Sequence, residues 1–241
     1  MKRTSFWLIL VSVLAATTIL VLLGNWQVRR LAWKEALIAS VEARRNAAPV
    51  PLDDMLAIWQ RDHDVDYRSV TLTGAFDHAA EAYFYTTRNG TVGWDILTPL
   101  TLADGRKAII DRGFVPDRKR DPSTRKAGQI EGEVKVTGLA RDPHFDKPNY
   151  FVPDNRPDKR EFYWKDFSAI ATTMGLKRDD MLIPFIIDAG PSDIPGGYPE
   201  GGSTLIEFPN NHLQYAITWY GLALACLGVG GVFLYSRRRR A

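Results

Sequence analysis

Two long apolar segments near the ends of the chain dominate its hydrophobic pattern. Phe6–Leu23 and Tyr215–Tyr235 contain no charged residue. As helices rising ~1.5 Å per residue, they would span roughly 27–32 Å, close to the thickness of the hydrocarbon core of a bilayer. The pattern therefore predicts one transmembrane helix over residues 6–23 and a second over residues 212–235.

The first apolar segment also has features of a signal peptide, because Lys2 and Arg3 precede it. Its apolar run is longer than the core of a signal peptide, and Gly24–Gln27 does not have the small-x-small pattern of a cleavage site. We therefore expect an uncleaved anchor.

Helical spacing continues beyond the first apolar segment. Trp26, Arg30 and Trp33 lie at positions i, i+4 and i+7, which places them on one face of a helix. We expect this helix to cover Gly24–Arg45 and to end before Pro49, because proline cannot continue a helical hydrogen-bond pattern.

The central region has the alternating, β-branched pattern of strands interrupted by turns. The Asp-Gly pair within Ala103–Arg106 is typical of a hairpin. Strands joined in this way predict an α+β membrane protein, with the transmembrane helices flanking a mostly antiparallel, barrel-like domain over residues 24–211 that has few helices. The predicted strands are Tyr67–Gly74, Tyr83–Thr87, Gly93–Leu102, Lys107–Val115, Val134–Leu139, Leu182–Asp188 and Ser203–Phe208, and the short helices are Leu52–Gln60 and Asp166–Met174.

The positive charges indicate how the chain crosses the membrane. The formal net charge is only +3, and Arg237–Arg240 forms a basic cluster directly after the second apolar segment. Positive residues favour the cytoplasmic side, so residues 236–241 form a cytoplasmic tail and, with two spans, both termini face the cytoplasm. No transit peptide precedes the first helix. We therefore expect a bacterial inner-membrane protein with a periplasmic domain.

Motifs for catalysis, disulfides and nucleic-acid binding are absent from the sequence. Cys226 is the single cysteine, which excludes an internal disulfide and a cysteine zinc site. No nucleophile elbow, zinc-protease helix or dinucleotide fingerprint is present, so we do not expect an enzyme. No nucleic-acid module is recognisable either. The basic run formed by Arg118–Arg120 and Arg125–Lys126 is interpreted as a solvated turn, and contact with lipid head groups is the alternative.

The remaining ionisable candidates have ordinary interpretations. His63, His78 and His144 are expected to be surface histidines in turns or at strand ends. The carboxylate pairs Asp53–Asp54 and Asp179–Asp180 are expected to act near helix starts as caps.

His212 differs from the other histidines because it begins the second apolar helix, after Asn210 and Asn211, either of which can cap that helix. An ionisable side chain at the end of a membrane helix is a candidate for function. Tyr215 and Trp219 follow on the same helix face. The imidazole is therefore either a metal ligand or an interfacial side chain that bonds to the helix cap or to water.

The second apolar helix also carries a small-residue pattern. Gly221 and Ala225 lie four residues apart, a spacing that permits close packing against a second helix. Incidental small residues in a lone anchor remain the alternative.

Several segments together resemble the Surfeit locus protein 1 family of cytochrome c oxidase assembly factors. The resemblance covers nearly the whole chain, and it is most specific in the segment that contains His212. The segments that carry it are Gly24–Gln27 with Arg30, Trp33 and Lys34; Gly74–His78; Arg112–Pro116; Gly128–Val134; Phe151–Asn155; and Asn210–Ala223.

The resemblance implies an assembly factor for haem a-containing oxidases. Its expected partners are the catalytic subunit of cytochrome c oxidase, the lipid bilayer and, as a further candidate, haem a synthase. The family's haem-associated histidine falls on His212, and no catalytic turnover is implied. A scaffold that holds oxidase subunits without binding haem is the alternative.

A haem-binding hypothesis follows for the residues near the membrane surface. His212 would ligate the iron, and the arginines Arg29 and Arg30 would pair with the haem propionates. The alternatives are head-group contacts for the arginines and a membrane-interface belt for the aromatic residues. The aromatic side chains expected to pack against the macrocycle are Trp26, Trp33, Tyr215 and Trp219.

Overall fold

The computed structural model describes residues 3–143, 146–177, 181–202 and 209–239. Four features of the sequence lie outside these residues, namely the strand Ser203–Phe208, His144, the Asp179–Asp180 pair and Arg240. The helices are α1 (Arg3–Asn46), α2 (Leu52–Asp62), α3 (Phe167–Thr173) and α4 (His212–Arg239). The strands are β1 (Val50–Pro51), β2 (Ser69–Phe76), β3 (Ala82–Arg88), β4 (Thr91–Leu102), β5 (Lys107–Pro116), β6 (Glu133–Arg141), β7 (Glu161–Phe162) and β8 (Leu182–Ala189).

The chain divides into two compact units. The first, here called the helix pair, contains Met1–Val41 and Ile206–Ala241, and the second, the barrel domain, contains Glu42–Leu205. Both α1 and α4 contain stretches long and apolar enough to cross a membrane. In the most apolar stretch of α1 hardly any residue is buried within the protein, so its side chains need an apolar surrounding such as lipid. The two helices indicate membrane association.

Five strands of the barrel domain close into a ring in the order β2-β6-β8-β5-β4, which β2 completes by pairing with β4. Neighbouring strands in the ring are antiparallel, except for the parallel pair β5 and β8. Outside the ring, β3 pairs with β4, β7 with β3, and β1 with β2. The predicted α+β fold with a mostly antiparallel, barrel-like sheet is confirmed.

The predicted elements agree closely with the described ones. Helix α1 continues to Asn46, and the turn that contains Gly105 joins β4 to β5. The strand boundaries differ from the prediction by no more than two residues. The two-residue strands β1 and β7 were not predicted, because so short a segment shows no alternation of apolar and polar residues.

Apolar side chains of the described residues form three cores, and β5 contributes to each of them. Ala108 and Ile110 of β5 belong to the core that α2 covers, whereas Ile109 belongs to the core beneath α3. Successive side chains of a strand point to opposite faces, so a strand that is buried on both faces must be apolar at successive positions. Each fully buried isoleucine contributes about 1.5–3 kcal/mol.

Gly113 lies where β5 meets the segment around Glu200. Its φ is +105°, and a Cβ atom there would lie 2.0 Å from the backbone oxygen of Glu200. Phe114 and Glu200 exchange backbone hydrogen bonds at 3.1 and 2.9 Å. The glycine is therefore required both by the backbone conformation and by the close approach of the two segments.

We expect Gly113→Ala to destabilise the barrel domain by at least about 2 kcal/mol more than Gly132→Ala. Gly132 also has a positive φ, +81°, but its added methyl group would meet nothing within 4 Å. Chemical unfolding of the two full-length variants in detergent measures the difference. Equal losses of stability would mean that glycine is required at position 113 by the backbone conformation and not by the close approach of the two segments.

The two helices of the helix pair contact each other along a regular line of positions. Buried residues Ala216, Ala223 and Gly230 recur every seven residues on α4, and buried Thr17 and Gly24 have the same spacing on α1. A seven-residue repeat keeps one side of a helix facing its partner over many turns. This line of contact is called the seam below.

The seam lies on a different face of α4 from the predicted one. A Cβ atom on Gly221 would meet nothing within 4 Å, and Ala225 is exposed. In contrast, a Cβ on Gly230 would lie 2.7 Å from Cγ1 of Val13. Of the two interpretations left open, close packing through Gly221 and Ala225 is therefore wrong, and the two helices pack through other small residues.

A steric test of the seam compares Gly230→Leu with Gly231→Leu. The first adds a side chain against Val13, whereas a Cβ at Gly231 meets nothing within 4 Å. Because Sγ of Cys226 lies 3.9 Å from the backbone oxygen of Val13, a Val13→Cys variant should crosslink to Cys226. We expect Gly230→Leu to reduce the crosslink yield severalfold and Gly231→Leu to leave it unchanged. Equal yields would contradict the seam.

Candidate functional site

His212 occupies the first position of α4 and faces α1. Nδ1 of His212 lies 2.8 Å from Oε1 of Gln27, which is itself buried. The backbone oxygen of Asn211 accepts a hydrogen bond from the N–H of Tyr215 at 3.1 Å and so begins the helix. The histidine is thus held both by its helix and by a side chain from the neighbouring helix.

The hydrogen bond to Gln27 determines which ring nitrogen of His212 keeps a lone pair for a ligand. An amide oxygen can only accept a hydrogen bond, so Nδ1 must donate. A neutral imidazole then has its lone pair on Nε2, which makes no hydrogen bond within the described part of the chain. Metal-bound histidines are typically oriented by such an acceptor on the second ring nitrogen. The arrangement is chemically suited to a ligand at Nε2.

The structure brings together only some of the other predicted haem-site residues. Arg30 stacks over the ring of Trp33, with its guanidinium carbon 3.9 Å from the ring centroid. Trp26 and Tyr215 are each about half exposed, and Trp219 is partly buried.

The predicted aromatic residues do not form one cluster. Across the described residues, no ring contact joins the tryptophans of α1 to the aromatic residues of α4. Arg29 is exposed. These side chains therefore do not enclose a site by themselves. A planar ligand would have to bind against all of them to bring them into one site.

Gln27 is the residue that sequence reasoning missed. It belongs to a segment that carries the family resemblance, but no spacing rule links it to a histidine 185 positions away. One feature of the sequence could have indicated Gln27: it is a polar side chain next to an apolar segment, and such side chains commonly hydrogen-bond between membrane helices.

A second polar cluster is buried in the barrel domain. Glu81 accepts hydrogen bonds from both terminal nitrogens of Arg125, and Nη1 of Arg112 lies 3.5 Å from Glu81 Oε1. Burial alone would raise the pKa of Glu81, but the donors and charges around it lower that pKa. The prediction that Arg125 lies in a solvated turn is wrong, because its side chain is almost completely buried.

His78 belongs to the same cluster. Its Nε2 lies 2.9 Å from the backbone oxygen of Ile130, and Nδ1 lies 3.3 Å from Nη1 of Arg112. Its side chain is only 15% exposed, so the prediction of a surface histidine is wrong at this position. Both ring nitrogens are occupied, which makes His78 a structural residue of the cluster.

A third cluster joins β4, β5 and β8 through carboxylates. Lys165 Nζ donates to Asp111 at 2.7 Å and to Asp188 at 3.2 Å. Burial favours the neutral amine, but the charges of these two aspartates raise the pKa of Lys165. Asp95 has a buried Oδ1 without a hydrogen-bond partner among the described residues. Burial, and then the charge of Asp111, raises the pKa of Asp95 to about 8.

Among the described residues, no three His, Cys, Asp or Glu side chains are grouped to hold a metal ion. Asp111 and Asp188 both accept hydrogen bonds from Lys165, so their carboxylates are occupied by an ammonium group.

The fold and the helix pair define a class: a membrane protein with two apolar helices and a closed β-barrel domain. The model of the SURF1 family matches residues 14–224. Surfeit locus protein 1 of Xenopus tropicalis is 37% identical over 238 residues, which covers 91% of this chain and 72% of that protein. Surfeit locus protein 1 of Homo sapiens is 39% identical over 222 residues, covering 84% and 70%. The chain belongs to the SURF1 family.

More distant eukaryotic relatives agree with this assignment. A SURF1-like protein of Monosiga brevicollis is 35% identical over 230 residues, which covers 90% of this chain and 83% of that protein. The matches include the barrel domain and most of the helix pair. The resemblance stated from individual motifs is therefore confirmed over the chain as a whole.

The raised pKa of Asp95 predicts a pH dependence of stability. The folded state holds the proton up to a pKa of about 8, whereas the ordinary value is 3.8. The folded protein therefore binds more protons between these values, and stability falls as the pH rises from about 4 to about 8. We expect Asp95→Asn, which resembles the protonated acid, to gain stability relative to the parent across this range, by at most ~1.4 kcal/mol per pH unit.

Thermal or chemical unfolding at several pH values measures this effect. Asp158→Asn is the matched control, because Asp158 is exposed. Its stability should follow that of the parent throughout the range. If the Asp95→Asn and parent curves are parallel between pH 4 and pH 8, the buried acid is not the source of the pH dependence.

Proposed function

We propose that this protein is an assembly factor for haem a-containing cytochrome c oxidase and that it binds haem a for delivery to the catalytic subunit. Membership of the SURF1 family supports the role in assembly. The single observation that supports haem binding is the 2.8 Å contact between Nδ1 of His212 and Gln27. This contact leaves Nε2 as a free imidazole nitrogen at the end of an apolar helix.

The residues of the helix pair suit the chemistry of a haem group. When bound, haem a supplies an iron centre that takes an axial imidazole nitrogen. His212 would provide that nitrogen, and Gln27 would hold the ring in the required tautomer and orientation. The exposed faces of Trp26 and Trp33 would pack against the macrocycle, and Trp219 would close the site on the side of α4.

Arginine side chains would bind the polar edge of the haem. Arg30 is already stacked on Trp33, which restricts its motion and leaves guanidinium N–H groups for a propionate. Arg29 is exposed and is the second candidate. One axial side chain and a solvent-facing arginine give a site that holds haem without enclosing it, as a delivery protein requires.

The proposed location is a bacterial inner membrane. The basic cluster after α4 would keep both termini in the cytoplasm, and the barrel domain would lie in the periplasm. His212 would then lie at the periplasmic surface of the bilayer. Haem a synthase would act before this protein and the catalytic subunit of the oxidase after it.

The proposal is tested by His212→Ala and Gln27→Ala, purified from cells that synthesise haem a. We expect His212→Ala to lower the haem content at least about tenfold, because the axial nitrogen is lost. Gln27→Ala should weaken haem affinity about 10- to 100-fold, because the imidazole loses its orienting partner. The absorption spectrum per mole of protein measures both effects.

Gln214→Ala is the matched control, since Gln214 is an exposed residue of the same helix turn. Its haem content should equal that of the parent. Unchanged spectra in both test variants would remove His212 as the ligand. If the parent protein itself carried no haem, the scaffold role would replace the haem-binding role.

A further inference from the structure

Three sequence segments that carry the family resemblance meet at one cavity in the barrel domain. Phe76 and His78 come from the first segment, Arg112 from the second, and Gly128 and Ile130 from the third. Phe76, Arg112 and Ile130 line the cavity, which has a volume of about 460 Å³. The proposed haem site uses none of these residues.

The buried cluster behind the cavity carries an excess positive charge. Glu81 is its carboxylate, while Arg112 and Arg125 are both cationic. His78 contacts the Ile130 oxygen through Nε2, and its Nδ1 lies 3.3 Å from Nη1 of Arg112 and 3.7 Å from Oε1 of Glu81. The cluster therefore has one negative and two positive groups, and an excess buried charge is costly unless an anion compensates it.

Arg112 is the cationic group that reaches the cavity. Its side chain is only 3% exposed, and one face of its guanidinium lies 4.7 Å from the ring centroid of Phe76. Nη1 contacts His78, and Nη2 donates to the backbone oxygen of Gly128. A guanidinium has five N–H donors, and Nε has no acceptor among the described residues. Burial lowers the pKa of Arg112 to about 10, as expected for a cation without full compensation.

The remaining walls of the cavity combine apolar and polar groups. Val134 and Val136 of β6 form one side, and the chain that leaves β8, from Ala189 to Ile194, forms the other. At the rim, Lys135 and Asp193 are exposed, so charges of both signs stand at the entrance. A volume of 460 Å³ is within the range of cavities that bind small molecules.

We propose that this cavity binds a small amphipathic acid, with its oxyanion head at Arg112 and a short apolar body between β6 and the 189–194 segment. Guanidinium groups bind carboxylates and phosphate monoesters in the same way, through paired N–H donors. The head group would compensate the excess charge of the cluster. The apolar groups of the walls would contact the body, and Lys135 would attract the anion at the entrance.

The binding test uses full-length protein in nanodiscs of zwitterionic lipid, with empty nanodiscs as the blank. Four six-carbon probes carry different head groups: hexanoate, hexyl phosphate, hexanol and hexylamine. Saturation-transfer NMR measures their binding. At least one of the two anionic probes should bind at least about tenfold more tightly than hexanol or hexylamine. Comparison of hexanoate with hexyl phosphate distinguishes a carboxylic acid from a phosphate ester.

Three variants locate the binding site. Arg112→Met should abolish the preference for anions, but it removes a buried charge and is informative only if the protein folds. Ser192→Trp, at an exposed position of the wall, should block the cavity and weaken binding at least about tenfold. Lys135→Glu should weaken binding severalfold, whereas Lys107→Glu, the same charge change at an exposed residue outside this cavity, should have no effect.

Three results would overturn the proposal. Equal binding of all four probes would show an apolar cavity without anion recognition. Anion binding that is unchanged by Ser192→Trp would place the anion elsewhere on the protein. The absence of binding by every probe would show that the excess charge of the cluster has no ligand of this class. Because the probes contain no haem, none of these results depends on His212.

Discussion

Two oppositely charged side chains at consecutive positions of β5 organise the barrel domain. Successive side chains of a strand point to opposite faces, so Asp111 and Arg112 enter different buried clusters. Asp111 pairs with Lys165 at 2.7 Å, and Arg112 lies 3.5 Å from Glu81. Removal of one partner from a buried ion pair costs about 3–5 kcal/mol, because the other charge is left unpaired. The two clusters therefore fix the elements around β5 to a single register.

The helix pair must be stabilised in another way, because lipid surrounds apolar side chains as favourably as a neighbouring helix does. Association then depends on close packing of small residues and on hydrogen bonds between helices. Ala216 and Gly230 provide the first along the seam. Gln27 with His212 provides the second, as does the 2.7 Å bond from the Tyr220 hydroxyl to Asn25. The polar contacts lie toward one end of the pair, where α4 begins.

The sequence was sufficient to predict features that depend on local pattern. The two long apolar helices, the turn at Gly105 and most strand boundaries follow from hydropathy, alternation and turn chemistry. The seam could not be predicted, because every face of an apolar helix has similar hydrophobicity. Arg125 was assigned to the surface because a basic run is usually solvated, and its partner Glu81 lies 44 residues earlier in the chain. Long-range pairing of this kind leaves no periodic signal.

His212 combines a structural role with the proposed role as a ligand, and this follows from the chemistry of imidazole. One ring nitrogen donates to Gln27 and helps to join the two helices, while the other remains able to bind a metal. An amide side chain could keep the bond to Gln27 but would offer the iron no basic nitrogen. A thiolate could bind iron but could not donate to Gln27. Histidine is therefore the side chain that satisfies both requirements at the beginning of α4, and the bond that holds the helices together also orients the proposed ligand.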